Sequence, residues 1–155
     1  MKKRSKLHDT LAVAIGLPLF LLLIPVVIVK FIIEVVFIYS VVWLTWNTKG
    51  IHLLFVYSDS PNWQEYIETQ VLPRLPDKRI VLNWSKRKQW KRFSLSTIIF
   101  RHFAGEAAFN PMAIVIRPFR LARVYRFYEP FKEFKHGKPE SLKNIESSLF
   151  RVLNA

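Results

Sequence analysis

IHLLFVYSDSPNWQ, residues 51–64, is the stretch on which the reading of the fold turns: a near-continuous apolar run, four punctuating residues, then Asn62, Trp63 and Gln64. His52 is the one polar interruption in residues 51–57, and so unbroken a run predicts a strand buried on both faces. Ser58, Asp59, Ser60 and Pro61 end it. A Ser followed by Pro at the first helical position is a helix-start signature, and Trp63, Ile67 and Val71, four apart, give the next segment an inward face. Pro73 and Pro76 then kink or end that helix.

Toward the C-terminus, residues 79–84 read as a second strand, and Ser85 opens a basic helix on which Trp90, Phe93, Thr97 and Ile98 form a stripe ending near Gly105. Residues 112–116 read as a third strand, 117–122 as a connection containing Pro118, and 123–128 as a fourth strand. The last helix begins around Pro139 and buries Leu142, Ile145, Leu149 and Val152. The expected order, β-α-β-α-β-β-α, is that of an α/β domain with a mixed four-stranded sheet over residues 50–155, long enough for one hydrophobic core. No internal repeat or low-complexity tract is present.

Toward the N-terminus, residues 1–10 form a leader with Lys2, Lys3, Arg4 and Lys6, and residues 11–47 are expected to be a membrane anchor. The uncharged stretch 11–29 approaches the length needed to cross a hydrocarbon core of about 30 Å. A cleaved signal fits less well, because its apolar part should be about 7 to 15 residues and end at small residues. Here Ala12 and Ala14 lie at the start, and the chain turns apolar again after Lys30. Residues 11–46 exceed a single perpendicular span, which leaves two layouts. One is a single helix bent near Pro18 or Pro25, with Lys30 and Glu34 pairing near an interface that also holds Tyr39, Trp43 and Trp46; the other is a hairpin capped by residues 30–34. The absence of Gly, Pro or Asn in residues 30–34 favours the single bent helix. The side on which the following domain lies depends on that choice and stays open.

If the first two strands are parallel and the third antiparallel, residues 58–62, 83–85 and 110–111 converge on one edge of the sheet. This edge is the expected binding site: Ser58, Asp59, Ser60, Pro61, Asn62, Trp63, Asn83, Trp84, Ser85, Asn110 and Pro111 offer hydroxyls, amides, helix-start N–H groups and flat apolar rings. For each residue singly, a cap or a core ring is the competing account. The chain from residue 50 carries 18 Lys plus Arg against 9 Asp plus Glu, a net of +9, which favours anionic partners. Lys86, Arg87, Lys88, Lys91 and Arg92, interleaved with Trp90 and Phe93, form the cationic surface expected to meet an anionic partner. It suits a bilayer headgroup layer or, less well, nucleic acid, or is simply a solvated face.

The element order, the helix-starting loop after the first strand and Asn110-Pro111 before the third resemble the core of the thioredoxin-like fold. In that family a Cys-x-x-Cys pair begins the first helix and a cis-proline faces it. Residues 61–64 match the pair's place, and Pro111 matches the proline. There is no cysteine in the chain, so thiol redox chemistry is excluded. The resemblance implies architecture alone: a backbone edge beside Pro111 that holds an extended peptide or a small ligand, with no cofactor. The alternative from another class is a membrane-associated hydrolase or transferase using Ser58, Asp59, Ser60 and His102. Nothing in the spacing brings those four together, and His102 with Glu106 is too small a set for a metal. Oligomeric state is not legible. Asn83-Trp84-Ser85 also fits the N-glycosylation acceptor pattern, which is common by chance.

Overall fold

The computed structural model describes residues 3–105 and 110–154, with side chains from Leu21 onward; the charges of the leader, the side chain of Pro18, and Glu106 lie outside the described residues. The chain divides into two compact units within its first helix, after Ser40.

That helix, α1 (Lys3–Thr45), is uninterrupted, so no hairpin forms at residues 30–34. At about 1.5 Å per residue its 43 residues reach about 65 Å. Among the described residues it supplies the one helix long and apolar enough to cross a membrane, with a mean hydropathy of 2.9 over an 18-residue window of the span Leu21–Lys49. Leu22 is 70% exposed and Phe37 65%, so the helix is apolar on surfaces that the first unit does not itself cover.

The second unit begins with the last turn of α1. Val42 and Trp46 continue the apolar run in sequence, yet both are buried. A short 3-10 turn, Asn47–Lys49, and Gly50 (φ 73°) redirect the chain into the first strand. A side chain at Gly50 would be strained by that positive φ and would meet Lys78 Cδ at 3.2 Å.

The first strand, β1 (Leu53–Tyr57), is buried at every position. It pairs in parallel with β2 (Arg79–Asn83) and antiparallel with β3 (Met112–Val115), which pairs antiparallel with β4 (Arg123–Arg126). The four-stranded mixed sheet has the order β2-β1-β3-β4.

Between β1 and β2 lies the helical segment α2, residues 64–74. It starts as an α-helix (Gln64–Tyr66), widens into a π-helical turn (Ile67–Val71) and ends as a 3-10 turn (Leu72–Arg74). Ile67 and Val71 face inward as expected, but the helix starts at Gln64 and not at Pro61. Residues 61–63 form a turn in which Ser60 O accepts the N–H groups of both Trp63 and Gln64.

The expected single basic helix is two pieces. Residues Trp84–Gln89 form a 3-10 stretch, Trp90 is extended (φ −67°, ψ 136°), and α3 (Leu95–Ala104) starts afresh with Ser94 as its cap. The expected stripe is correspondingly displaced. Thr97, Ile99, Phe100 and Ala104 are buried, whereas Phe93 is 84% exposed. The fourth strand is shorter than expected, because residues 128–135 belong to a helix absent from the sequence reading, α4 (Tyr128–Lys135). The last helix, α5 (Glu140–Asn154), buries Leu142 and Leu149, with Ile145 and Val152 half-buried.

Leu53, Phe55 and Tyr57 project from one face of β1 into a core with Ile67, Val71, Ala113, Val115, Phe127, Phe131, Leu142 and Leu149. The alternating positions Leu54 and Val56 face the other side, where α3 packs against β1. The sheet is therefore covered by α2, α4 and α5 on one face and by α3 on the other. Within the first core Glu146, only 7% exposed, sits 3.7 Å from the Arg74 guanidinium, which in turn lies 4.1 Å from the ring centre of Phe150.

Ser94 Oγ accepts from Thr97 N at 3.3 Å at the N-terminus of α3. Ser94→Ala should therefore lower the unfolding free energy of the full chain by about 1 kcal/mol, as for other N-caps. Thermal or denaturant unfolding in detergent checks this. An unchanged midpoint would mean that α3 does not depend on this cap.

Candidate functional site

The end of β1 meets the end of β2 because the two strands run in parallel register, Tyr57 beside Asn83. The loops leaving them are joined directly. Asp59 Oδ1 accepts from Asn83 Nδ2 at 2.5 Å, Asp59 N donates to Ser85 Oγ at 3.0 Å, and Ser85 N donates to Asn83 Oδ1 at 2.9 Å. Asn83 thus caps the turn that follows it and holds the Asp59 loop at the same time. The expected convergence of residues 58–62 with 83–85 is present, and these polar groups largely satisfy one another.

Pro111 follows a cis peptide bond with Asn110. Val56 is paired with Met112, so continuing the antiparallel register by one step sets Pro111 opposite Tyr57. Pro111 O accepts from Phe127 N at 2.9 Å, which ties this turn to the end of β4.

The remaining candidates divide between packing and exposure. Ser58 is buried, and its Oγ accepts from Trp63 Nε1 at 3.2 Å. Ser60 Oγ accepts weakly from Asn62 N at 3.4 Å. Trp84 and Trp90 belong to an aromatic cluster with Phe100, at ring-centre distances of 5.3 Å and 5.6 Å, and Trp90 Nε1 donates to Asn83 O at 3.1 Å. These two indoles fasten the 84–90 segment to α3. Lys86, Arg87, Lys88, Lys91 and Arg92 are exposed; Arg87 lies over Trp84 at 4.8 Å and Arg92 over Phe93 at 5.9 Å.

Helix α4 brings residues to this edge that the sequence reading left out. Tyr128 meets Trp63 edge to face at 6.0 Å, Phe131 lies 6.1 Å from the same indole, and Lys135 Nζ donates to Asn62 Oδ1 at 3.2 Å. Tyr66 lies 5.6 Å from Phe134. Tyr128 and Phe134 are each 41% exposed, so an aromatic shelf borders the polar junction. The spacing of Phe127, Phe131 and Phe134 was the available signal.

For the catalytic alternative, Ser58, Asp59 and Ser60 are consecutive on one loop with the partners just given, while His102 sits on α3 with its ring edge-on to Phe103 at 4.9 Å. Glu106, the acid considered with His102, is outside the described residues. Among the described residues no three His, Cys, Asp or Glu side chains group as metal ligands. Neither protein-family models, nor curated proteins, nor solved structures give a match to this chain.

Tyr57 lies directly under the junction and donates to Glu68 Oε1 at 3.0 Å. Burial, then the hydrogen bond and charge of Glu68, push its hydroxyl up to about 12. Burial and the hydrogen bond and charge of Glu146 push Tyr66 likewise up to about 12. An unfolded tyrosine titrates near 10, so the folded chain holds these protons more tightly. The resulting stabilisation is fully present below about pH 10 and is lost as pH rises from about 10 to about 12. Tyr57→Phe should flatten part of that fall and reduce the late phenolate absorbance. Unfolding curves with the same pH slope in parent and variant would disprove the coupling.

Proposed function

We propose that the chain is a membrane-anchored, non-redox thioredoxin-like domain that holds an extended peptide segment along the edge formed by residues 58–62, 83–85 and 110–111. Three features support the family reading. The strand order is β2-β1-β3-β4 with only β1 and β2 parallel, a helix starts just beyond the first strand, and a cis-proline precedes the third strand. The helix-start position that carries thiols in redox members is Pro61-Asn62-Trp63-Gln64 in this chain.

The observation that carries the binding reading is the hydrogen-bonded junction of Asp59, Asn83 and Ser85 beside the shelf of Tyr128 and Phe134, each 41% exposed, with Tyr128 edge-on to the half-buried Trp63. A preorganised edge loses little freedom on binding, and an amphipathic aromatic ring supplies contact area with few rotatable bonds. The same junction weakens the hydrolase reading. A nucleophile needs a proton acceptor within reach, whereas the side-chain partner of Ser58 here is an indole N–H and that of Asp59 is the Asn83 amide.

The anchor reading rests on α1. A helix apolar on its exposed surfaces is stable where lipid covers it, and a stretch near the N-terminus that is longer than a signal's apolar region need not be cleaved. Alkaline carbonate should leave the chain in the membrane pellet, and intact-mass measurement should find residues 1–155 retained. Release into the supernatant at a mass lacking the N-terminal segment would make α1 a processed signal.

For the edge, the full chain in phosphatidylcholine nanodiscs should capture members of a random peptide library. Tyr128→Ala should weaken that capture about tenfold or more, as for an aromatic hot spot, whereas Lys143→Ala on the exposed side of α5 should not. Equal capture by both variants would exclude this edge, and ester or amide turnover abolished by Ser58→Ala would replace binding with hydrolysis.

A further inference from the structure

We propose that the loop between β3 and β4 is a second bilayer contact, in which Arg120 and Arg123 hold anionic phospholipid headgroups while Phe119 and Leu121 enter the interfacial layer. The inference rests on the anchor reading of α1 and assigns residues that the sequence reading treated as a mere connection.

The loop sequence is RPFRLAR, residues 117–123, with an arginine at every third position and two large apolar residues between them. Phe119 is 88% exposed and Leu121 83%. Phe119 also has a φ of 56°, in the left-handed region that a bulky residue rarely occupies. A phenylalanine and a leucine held out on a cationic loop tip are poorly placed in water and well placed in a headgroup layer, where cations meet phosphates and apolar side chains meet acyl chains.

The arginines have separate tasks. Arg117 Nη2 donates to Val152 O and Leu153 O, closing the C-terminus of α5. Arg120, Arg123 and Arg151 are exposed, and among the described residues no carboxylate lies within ion-pair distance of them. Open clefts of about 400 Å³ and 420 Å³ flank Arg117, Arg120 and Arg123, the second extending to Arg151. Charge complementarity therefore selects an anionic occupant.

Location selects lipid. Inside the second unit the Phe119 ring lies 5.1 Å from that of Trp43, a residue in the last turn of α1 and near the C-terminal end of the apolar run. Tryptophan at the end of a spanning helix belongs to the headgroup level, and Phe119 beside it shares that level. The other basic segment, residues 86–92, follows the opposite end of the parallel β1–β2 pair.

The chain has no cysteine, so Leu121→Cys provides a unique site for a polarity-sensitive label, and Phe93→Cys, 84% exposed in the parent, is the reference. The labelled full chain is placed in liposomes of phosphatidylcholine with and without phosphatidylglycerol, each carrying nitroxide lipid, and flotation scores insertion independently. The label at 121 should be blue-shifted and quenched, more so with phosphatidylglycerol, while that at 93 stays aqueous. Arg120→Ala and Arg123→Ala should each lower the bound-to-open ratio about fivefold. A chain that floats while the label at 121 stays as aqueous as that at 93 overturns the loop contact and leaves the anchor standing. A chain that does not float overturns the anchor and this proposal with it. Protection of the label by an RNA oligonucleotide, with no response to phosphatidylglycerol, would assign the arginines to nucleic acid and likewise overturn the lipid contact.

Discussion

Strand β1 is sealed on both faces and paired along both edges, and every other part of the second unit is positioned by that burial. Leu53, Phe55 and Tyr57 are committed to one core, and Leu54 and Val56 to the other. A one-residue slip would exchange the two sets and put the Tyr57 hydroxyl away from Glu68, so the register is strongly specified. Because β1 is parallel to β2 and antiparallel to β3, its two ends acquire different neighbours. The N-terminal end receives the chain from Trp46 and Gly50 and lies beside the β3–β4 loop. The C-terminal end carries the Asp59–Asn83–Ser85 junction and Pro111.

This polarity was partly legible in the sequence. Residues 51–57 are apolar apart from His52, as a strand buried on both faces requires, and Pro73 falls in the closing turn of α2 without reference to anything distant. What was not legible depended on long-range contacts. Trp90 and Phe93 have the spacing of a helical stripe, but the Trp90 indole reaches back to Asn83 O and packs on Phe100, and that contact holds its backbone extended. Helix α4 was absorbed into the fourth strand because Arg123 to Tyr128 is rich in residues that suit strands. Only the sheet pairing shows that it stops at Arg126. The consequence for the site was specific: Tyr128 and Lys135, which approach Trp63 and Asn62, could not be placed at the edge from the sequence.

The candidate edge also shows why residue chemistry in sequence overstates reactivity. Serines, an aspartate and asparagines within two short loops look like a reaction centre, yet Asp59, Asn83 and Ser85 are hydrogen-bonded to one another and to the turn that follows β2. Asp59 and Ser85 are exposed and Asn83 is half-buried, so these bonds join the two loops at the surface. Tyr128, 41% exposed against the half-buried Trp63, adds an aromatic surface beside the exposed polar residues of this rim.

The two basic surfaces separate for the same reason. About 17 Å of strand lies between the ends of a five-residue β1, and the arginine loop belongs to one end while residues 86–92 follow the other. That length exceeds the Debye length of about 8 Å at physiological ionic strength, so an anionic surface meeting one end acts only weakly on the other. Phe119, Leu121 and Trp43 add apolar contact at the end where the domain follows the apolar run, and an anchored chain repeatedly presents that end to lipid at high effective concentration. The basic residues beyond Asn83 follow the opposite end, where the Arg87 and Arg92 guanidiniums lie over Trp84 and the exposed Phe93. A net charge of +9 spread over one small domain would favour any polyanion. Its division between the ends of a buried strand makes the proposed lipid contact at one end compatible with an open rim at the other.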